Sequence, residues 1–435
     1  MKRNKLIVMS IDALFDEDIP CIRELPNFNR LLKNSARVRG GMRGIYPALT
    51  YPSHVSMITG TYPERHHICH NEIVDPFSRE MDWYWYRDQI AVPTILDAAH
   101  AAGYTTACLG WPCMGGDPAS DWNVPEIWPK RGAGNLEEVL IGSSSESVLA
   151  DGGVLRKHMH VYKKLARFFV DEAIVGCACD LIRTRQPDVL FMHVAHLDHM
   201  RHVHGVYGRE IEEALMVHDD WLGRILDEVK EAGLDDFTNI AVVSDHGHLA
   251  VKRMFQPNVL LAEAGLIRLD QSGTITGWEA FCNSASLSTQ VHMRDPEDRQ
   301  AREKLEAVLA DVIKNPIYGV EAVFTKAEAK TEHHLEGGFE YIMEGGTGTA
   351  FGNAVSGQVI VKPDNSDYKF SVSSHGHLPH KGPQPIFFMS GPDVKAGAVM
   401  ERQRIIDEAP TFAYMLGVSM EEAQGRCMEE LLLKP

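Results

Sequence analysis

Aspartate and histidine recur behind apolar runs in this chain, in an order able to hold metal ions. Asp12 follows Leu6-Ile-Val-Met-Ser-Ile11, Asp198 and His202 follow Val189–Val194, Asp245 and His246 follow Asn239–Ser244, and His375 stands in Ser373-Ser-His-Gly-His377. Asp198 and His202 are four residues apart, so on a helical turn they share a face, as metal ligands often do. The six side chains amount to two tridentate sets of carboxylate and imidazole without thiolate. That chemistry suits two zinc ions best, with manganese or iron as alternatives. Between the sets, Thr50 in Tyr46-Pro-Ala-Leu-Thr-Tyr-Pro-Ser-His54 offers a hydroxyl at the start of a helix, among unpaired N–H groups that favour a phosphate. Taken alone, Thr50 reads as an ordinary N-cap. Beside two ions about 3.5–4 Å apart, which hold the attacking and leaving oxygens of an in-line displacement, it reads as a nucleophile for phosphoryl transfer. Zinc moves bound water from a pKa of 15.7 to about 7, and similar polarisation makes a threonine hydroxyl usable without a base.

Several elements must position these groups. Strand-like runs at Lys5–Ile11, Ala36–Met42, Thr105–Gly110, Val189–Val194, Asn239–Ser244 and Pro385–Ser390 alternate with helical patterns at Cys21–Lys33, from Thr50, at Val92–Ala102, 160–184, 209–231 and Ala409–Leu416. This βαβ rhythm implies a mostly parallel sheet, whose strands present ligands at their carboxyl ends. Pro47 and Pro52 extend the chain before Thr50 and open the helix after it. Gly247, after Asp245-His246, is expected to permit a tight turn. The expected organisation is a catalytic α/β core over 1–255, with a loop-rich insertion at about 112–155, a smaller inserted cap domain over 256–372, and the last part of the core over 373–435.

Other residues admit two readings. Asn71 is either an amide donor to a substrate oxygen or a loop residue bonded to its own backbone. His196, His199 and His204 read as supporting or solvated groups. Trp83-Tyr-Trp-Tyr86 is either core or a wall for a flat ligand group, with core the expected reading, and Trp111 shares that ambiguity. Glu344-Gly-Gly-Thr-Gly-Thr349 lacks the Lys-Ser/Thr and the preceding strand of a phosphate loop.

Composition narrows the class. With 435 residues, 44% hydrophobic, the chain reads as a soluble globular protein. Its net charge of −17 works against tracking along nucleic acid or an anionic membrane, while a small phosphate-ester or nucleotide-like substrate remains compatible if a metal supplies local positive charge. The first residues lead directly into a strand-like run too short for a signal peptide, and no apolar run approaches the roughly 18 residues of a membrane span. The eight cysteines lack zinc-ribbon or CxxC spacing and read as reduced thiols of a cytoplasmic protein. Oligomeric state leaves no trace in the sequence.

Taken in order, the strand ending in Asp12, Pro47-x-x-Thr50-Tyr-Pro-x-His54, Tyr62-Pro-Glu-x-His66-x-Ile68-x-x-Asn71-x-x-x-Asp75-Pro76, Trp111-Pro112, Asp198-x-x-x-His202, Ser244-Asp-His-Gly247 and His375-Gly376 resemble the nucleotide pyrophosphatase/phosphodiesterases of the alkaline phosphatase superfamily. The resemblance implies an alkaline phosphatase-like three-layer α/β/α sandwich around a mostly parallel sheet. It implies that Asp198, His202 and His375 bind one zinc, and Asp12, Asp245 and His246 the other. Thr50 is implied to be the nucleophile touching the second ion, and Asn71 to hold a phosphoryl oxygen; His54 matches a family position without a role. Tyr51-Pro52-Ser53 and Leu197-Asp198 stand where the family commonly has Phe-Pro-Asn and Pro-Asp, and neither departure removes a ligand. The implied activity is hydrolysis of a phosphodiester or nucleotide pyrophosphate through a phospho-threonine intermediate. A phosphonate or phosphomonoester hydrolase on the same ions is the alternative, and a non-catalytic zinc- or ligand-binding protein the third reading.

Overall fold

The apolar run that precedes Asp12 is the centre of the molecule. In the computed structural model, which describes all residues except 1–3, 79, 131–134, 165 and 434–435, Lys5–Ile11 (β1) is buried along its whole length. A strand covered on both faces reads as a continuous apolar run rather than an alternating one, which is the pattern of a parallel sheet between helix layers. Seven further strands complete the sheet: Ala36–Arg43 (β2), Thr106–Leu109 (β3), Trp122–Val124 (β4), Val189–Val194 (β5), Thr238–Val243 (β6), Phe387–Ser390 (β7) and Val399–Arg404 (β8). Their order is β8-β2-β7-β6-β1-β5-β3-β4, and only β7 runs antiparallel to its neighbours.

Helices Pro26–Leu32 (α1), Thr50–Thr59 (α2), Ile95–Ala101 (α3), Arg167–Thr184 (α4), His196–His204 (α5), Arg209–Glu231 (α6) and Glu408–Leu416 (α7) cover the sheet. Consecutive residues of β7 show the two layers, because successive side chains of a strand point to opposite faces. Phe388 meets Phe28 of α1 at 6.5 Å, whereas Phe387 meets Phe412 of α7 at 6.2 Å. α1 and α4 pack on α6, and α2 and α3 pack on α7, giving the expected α/β/α sandwich.

Local boundaries follow breakers and caps. The helix expected at Cys21–Lys33 is two pieces, Ile19–Ile22 and α1, with Pro26 opening the second. The helical pattern expected over 160–184 is likewise divided between Val154–Tyr162 and α4. Within 112–155, expected to be loop-rich, lie edge strand β4 and helices Leu136–Ser143 and Glu146–Leu149. Gly, Pro and Ser punctuate that stretch, but Val124, Leu140 and Val148 are buried and carry short elements into the core.

Between β6 and β7 a second, antiparallel sheet forms, in the order Ala280–Ser284, Ser288–Met293, Tyr341–Gly345, Val320–Thr325. Helix Arg299–Lys314 covers it, and Phe281, Val291, Leu305 and Leu309 belong to an apolar cluster separate from that of the large sheet. Among the described residues no helix is long and apolar enough to cross a membrane.

Candidate metal centre

Register brings the first carboxylates together. β1 pairs with β5 from Leu6–Val189 to Ile11–Val194, and with β6 from Lys5–Thr238 to Ser10–Val243. Asp12, just beyond β1, therefore stands level with Asp245, two residues beyond β6. The turn between them is tied by the Ala13 N–H, which donates to Asp245 Oδ1 at 3.2 Å, and by the Leu14 N–H, which donates to Ser244 Oγ at 3.0 Å. Ala13 has φ +57°, a left-handed conformation that a non-glycine residue holds only under surrounding constraint. From β5 the chain turns into α5 through Ala195, whose N–H, with that of His196, donates to Asp171 Oδ2 of α4, at 2.8 and 2.6 Å. On that helix Asp198 and His202 share the expected face, with His202 Nε2 at 3.4 Å from Asp198 Oδ1.

Two clusters result. The donor atoms of Asp12, Asp245 and His246 lie within 4.8 Å of one another, as do those of Asp198, His202, His248 and His375. The rings of His246 and His375 stack at 3.8 Å, so the clusters adjoin. His248 had no place in the sequence reading. It stands two residues beyond His246, and in extended chain such side chains face the same way, which is the signal that spacing offered. His196, His199 and His204 belong to neither cluster.

Thr50 is the first residue of α2 and not its N-cap, a position that Leu49 takes. Thr50 Oγ1 lies 3.1 Å from His246 Nε2, facing the Asp12 cluster. Asn71 accepts the Tyr51 N–H at 3.0 Å through Oδ1, so its bond is to the first turn of α2 and not to its own loop. His54 sits beneath, Nδ1 donating to the Thr50 carbonyl at 2.8 Å and Nε2 facing Ser10 Oγ at 2.8 Å.

The residues fit divalent cations. Asp12 Oδ1, Asp245 Oδ2 and His202 Nε2 are buried without a hydrogen-bond partner, a costly state for polar atoms unless something else satisfies them. Burial, reinforced by Asp245 and Asp198, pushes the Asp12 carboxyl well above the usual carboxylate range. Burial likewise pushes Asp245 up to about 7. Burial lowers His246 and His375 far enough to keep both imidazoles neutral, the form that ligates metals.

Glycine has a different part here from the one expected. Gly247 has no left-handed φ; rather, a Cβ on it would stand 2.0 Å from the Pro383 carbonyl oxygen, so close backbone approach is what excludes a side chain. Gly376, beside His375, has both constraints, with φ +91° and a Cβ that would fall 1.8 Å from the Ala285 carbonyl oxygen.

A cavity of about 880 Å³ opens onto both clusters, lined also by Tyr51, Asn71, Trp83, Trp128 and Tyr368. Trp83 thus joins the wall, while Trp111 is fully buried in the core and Trp85 nearly so. Arg167, the first residue of α4, also lines the cavity, bound to Glu126 Oε1 at 2.8 Å and Asp171 Oδ1 at 3.1 Å. No local motif marks Arg167, since its place depends on how α4 packs.

The sequence profile of the type I phosphodiesterase / nucleotide pyrophosphatase family matches residues 6–378. Ectonucleotide pyrophosphatase/phosphodiesterase family member 1 of Mus musculus is 28% identical over 240 residues, 53% of this chain and 21% of the relative. The venom phosphodiesterase of Macrovipera lebetinus is 26% identical over 226 residues, 51% of this chain and 23% of the relative. The matches therefore span about a fifth of these curated relatives. Murine ectonucleotide pyrophosphatase / phosphodiesterase 5 superimposes with a TM-score of 0.69 over 99% of this chain and 100% of that one, at 16% identity. An inactive variant of the same murine protein, in complex with AMP, superimposes equally well. That likeness concerns the fold, which is alkaline phosphatase-like. The chain belongs to the type I phosphodiesterase / nucleotide pyrophosphatase family.

Proposed function

We propose that the chain hydrolyses a phosphodiester or nucleotide pyrophosphate bond, with Thr50 as the nucleophile. The observation that carries this reading is the position of Thr50 Oγ1, 3.1 Å from His246 Nε2 at the first residue of α2, on the wall of a cavity large enough for a nucleotide. Asp198, His202 and His375 would hold one divalent cation, and Asp12, Asp245 and His246 the other; zinc suits these donors best, with manganese or iron as alternatives. Such ions, when bound, lower the pKa of the hydroxyl and neutralise charge on the phosphoryl group.

The remaining work falls to the chain itself. Thr50 gives up its hydroxyl proton to solvent and Oγ attacks phosphorus, forming the Oγ–P bond as the P–O bond to the leaving group breaks; the leaving oxygen takes the electron pair and is protonated from solvent. Water then attacks the phospho-threonine, breaks the Oγ–P bond, restores the hydroxyl and releases the phosphate monoester. Asn71, held through Oδ1 by the Tyr51 N–H, has its Nδ2 end to offer a phosphoryl oxygen. The N-terminus of α2 adds N–H groups and the positive end of its dipole. Trp83 and Trp128 give a flat leaving group apolar walls on which to stack.

The test compares turnover of bis-p-nitrophenyl phosphate, p-nitrophenyl phosphate and phosphonoacetate with zinc present. The diester is expected to be fastest. Arg167 on the cavity wall favours a second reading, a phosphomonoester or phosphonate hydrolase, since a guanidinium suits an additional anionic oxygen. Faster turnover of the monoester or the phosphonate would replace the first reading by the second. Thr50→Ala is expected to retain both ions and lose covalent phosphorylation; undiminished activity in that variant removes Thr50 from the mechanism.

A further inference from the structure

Ser373 settles the hydrogens around His248. Its hydroxyl donates to the Arg201 carbonyl oxygen at 2.8 Å, and a carbonyl can only accept. The Ser373 oxygen, 3.0 Å from His248 Nδ1, therefore accepts the Nδ1 hydrogen. Nε2 of the neutral ring is left with a lone pair, and it points at Asp198 Oδ1 from 2.7 Å. The two other histidines of the cluster are turned the same way. His202 Nδ1 donates to the Ser373 carbonyl at 2.9 Å and His375 Nδ1 to the Ala48 carbonyl at 3.2 Å. Their Nε2 atoms stand 3.4 and 3.8 Å from the same Asp198 oxygen. Three imidazole lone pairs thus converge on one carboxylate oxygen, an arrangement of acceptors that only shared positive charge makes favourable.

We infer that His248 is a fourth protein ligand to the cation of Asp198, His202 and His375, which makes that centre coordinatively closed. The inference rests on the reading that both clusters hold metal ions. Four protein donors complete the tetrahedral preference of zinc, as in sites that retain their ion, whereas three donors leave a position open for substrate or water. The two centres are consequently unequal. The Asp198 centre is the resident one and fills first. The Asp12 centre, with three protein donors and Thr50 beside it, is the exchangeable one on which phosphoryl oxygens bind. A carboxylate-rich set offers more charge to a cation, so the second centre would fill first if charge rather than donor number decided.

Zinc titration of chelator-treated protein against a chromophoric competitor, with X-ray absorption on protein carrying one equivalent, tests this without substrate. Expected are two classes of site, with three imidazoles around the first zinc. His248→Gln keeps a polar side chain of similar reach but is a poor ligand, so in it the first zinc should show two imidazoles and bind at least about 10-fold more weakly. Two imidazoles around the first zinc in the unmodified protein, or one, would overturn the inference, as would unchanged affinity in His248→Gln. Should that variant not fold, the imidazole count in the unmodified protein decides alone. Failure of either cluster to bind any ion would instead sink the two-metal reading on which the proposed function rests, and this inference with it.

Discussion

Asn71 has one end of its amide committed to structure, which makes the role proposed for the other end testable. Oδ1 accepts the Tyr51 N–H in the first turn of α2, so the residue fixes the helix that carries Thr50 while also lining the cavity. Asn71→Asp keeps an acceptor for Tyr51 and replaces the donor by a negative charge. It is expected to lower kcat/KM by about 10²-fold or more, the scale of losing one oxyanion donor, with zinc stoichiometry and thermal stability near those of the unmodified protein. Equal loss of stability and activity would make Asn71 a structural residue only. Asn71, like Asp12, Asp198 and Asp245, was legible because short motifs and strand ends carry local signals. His248 was not, because its partner Asp198 lies fifty positions away in a different element. Arg167 was hidden for the same reason: its approach to the cavity is a matter of helix packing rather than spacing.

At the scale of elements, α5 is joined to the turn after β1 by one buried arginine. Arg201 Nε donates to the Ala13 carbonyl at 3.0 Å, Nη2 pairs with Asp18 at 2.5 Å, and Nη1 reaches the Val206 carbonyl. Its guanidinium also lies 3.8 Å over the Phe15 ring. The residues carrying Asp12 and those carrying Asp198 and His202 are thereby fixed to one another from outside the clusters. Arg201→Met leaves Asp18 as an uncompensated buried charge and frees the Ala13 carbonyl, for which a loss on the order of 3–5 kcal/mol is expected in denaturant unfolding. Adding Asp18→Asn should recover part of it, because removing both partners costs less than removing one. Additive losses in the double variant would contradict the coupling. The sequence reading located six of the eight strands of the large sheet, since runs such as β1, β5 and β6 are continuously apolar; the edge strands β4 and β8 were missed, β8 because it is mostly exposed or half-buried and carries no apolar run. Helix limits around 160–184 were less legible: the amphipathic pattern continues through the break between Tyr162 and Arg167, and only tertiary packing decides where each helix stops.

For the molecule as a whole, the question is what holds the smaller sheet against the segment bearing His375. Glu344, fully buried on strand Tyr341–Gly345, accepts from Lys381 Nζ at 2.7 Å, from the Leu378 N–H at 3.1 Å and from the Tyr46 hydroxyl at 3.1 Å. One carboxyl therefore joins the smaller sheet to the loop after His375 and to the segment before Thr50. Burial pushes Glu344 up to about 7, outweighing Lys381, the Leu378 N–H and Tyr46. The ordinary value is 4.5, so an unfolded chain releases this proton near pH 4.5 while the folded one keeps it to about pH 7. The stability linked to Glu344 is thus fully present below pH 4.5 and is lost as pH rises through 7. Glu344→Gln carries no titrating group, and its unfolding free energy should change less between pH 5 and pH 8 than that of the unmodified protein, by on the order of 1–3 kcal/mol. Parallel pH profiles for the two proteins would show that the junction titrates elsewhere. A readout at the site follows from the same contacts: since Leu378 and Tyr46 flank His375 and Thr50, loosening this junction is expected to weaken binding of added divalent metal before it unfolds the large sheet, which native-state hydrogen exchange at β1 and β6 would resolve.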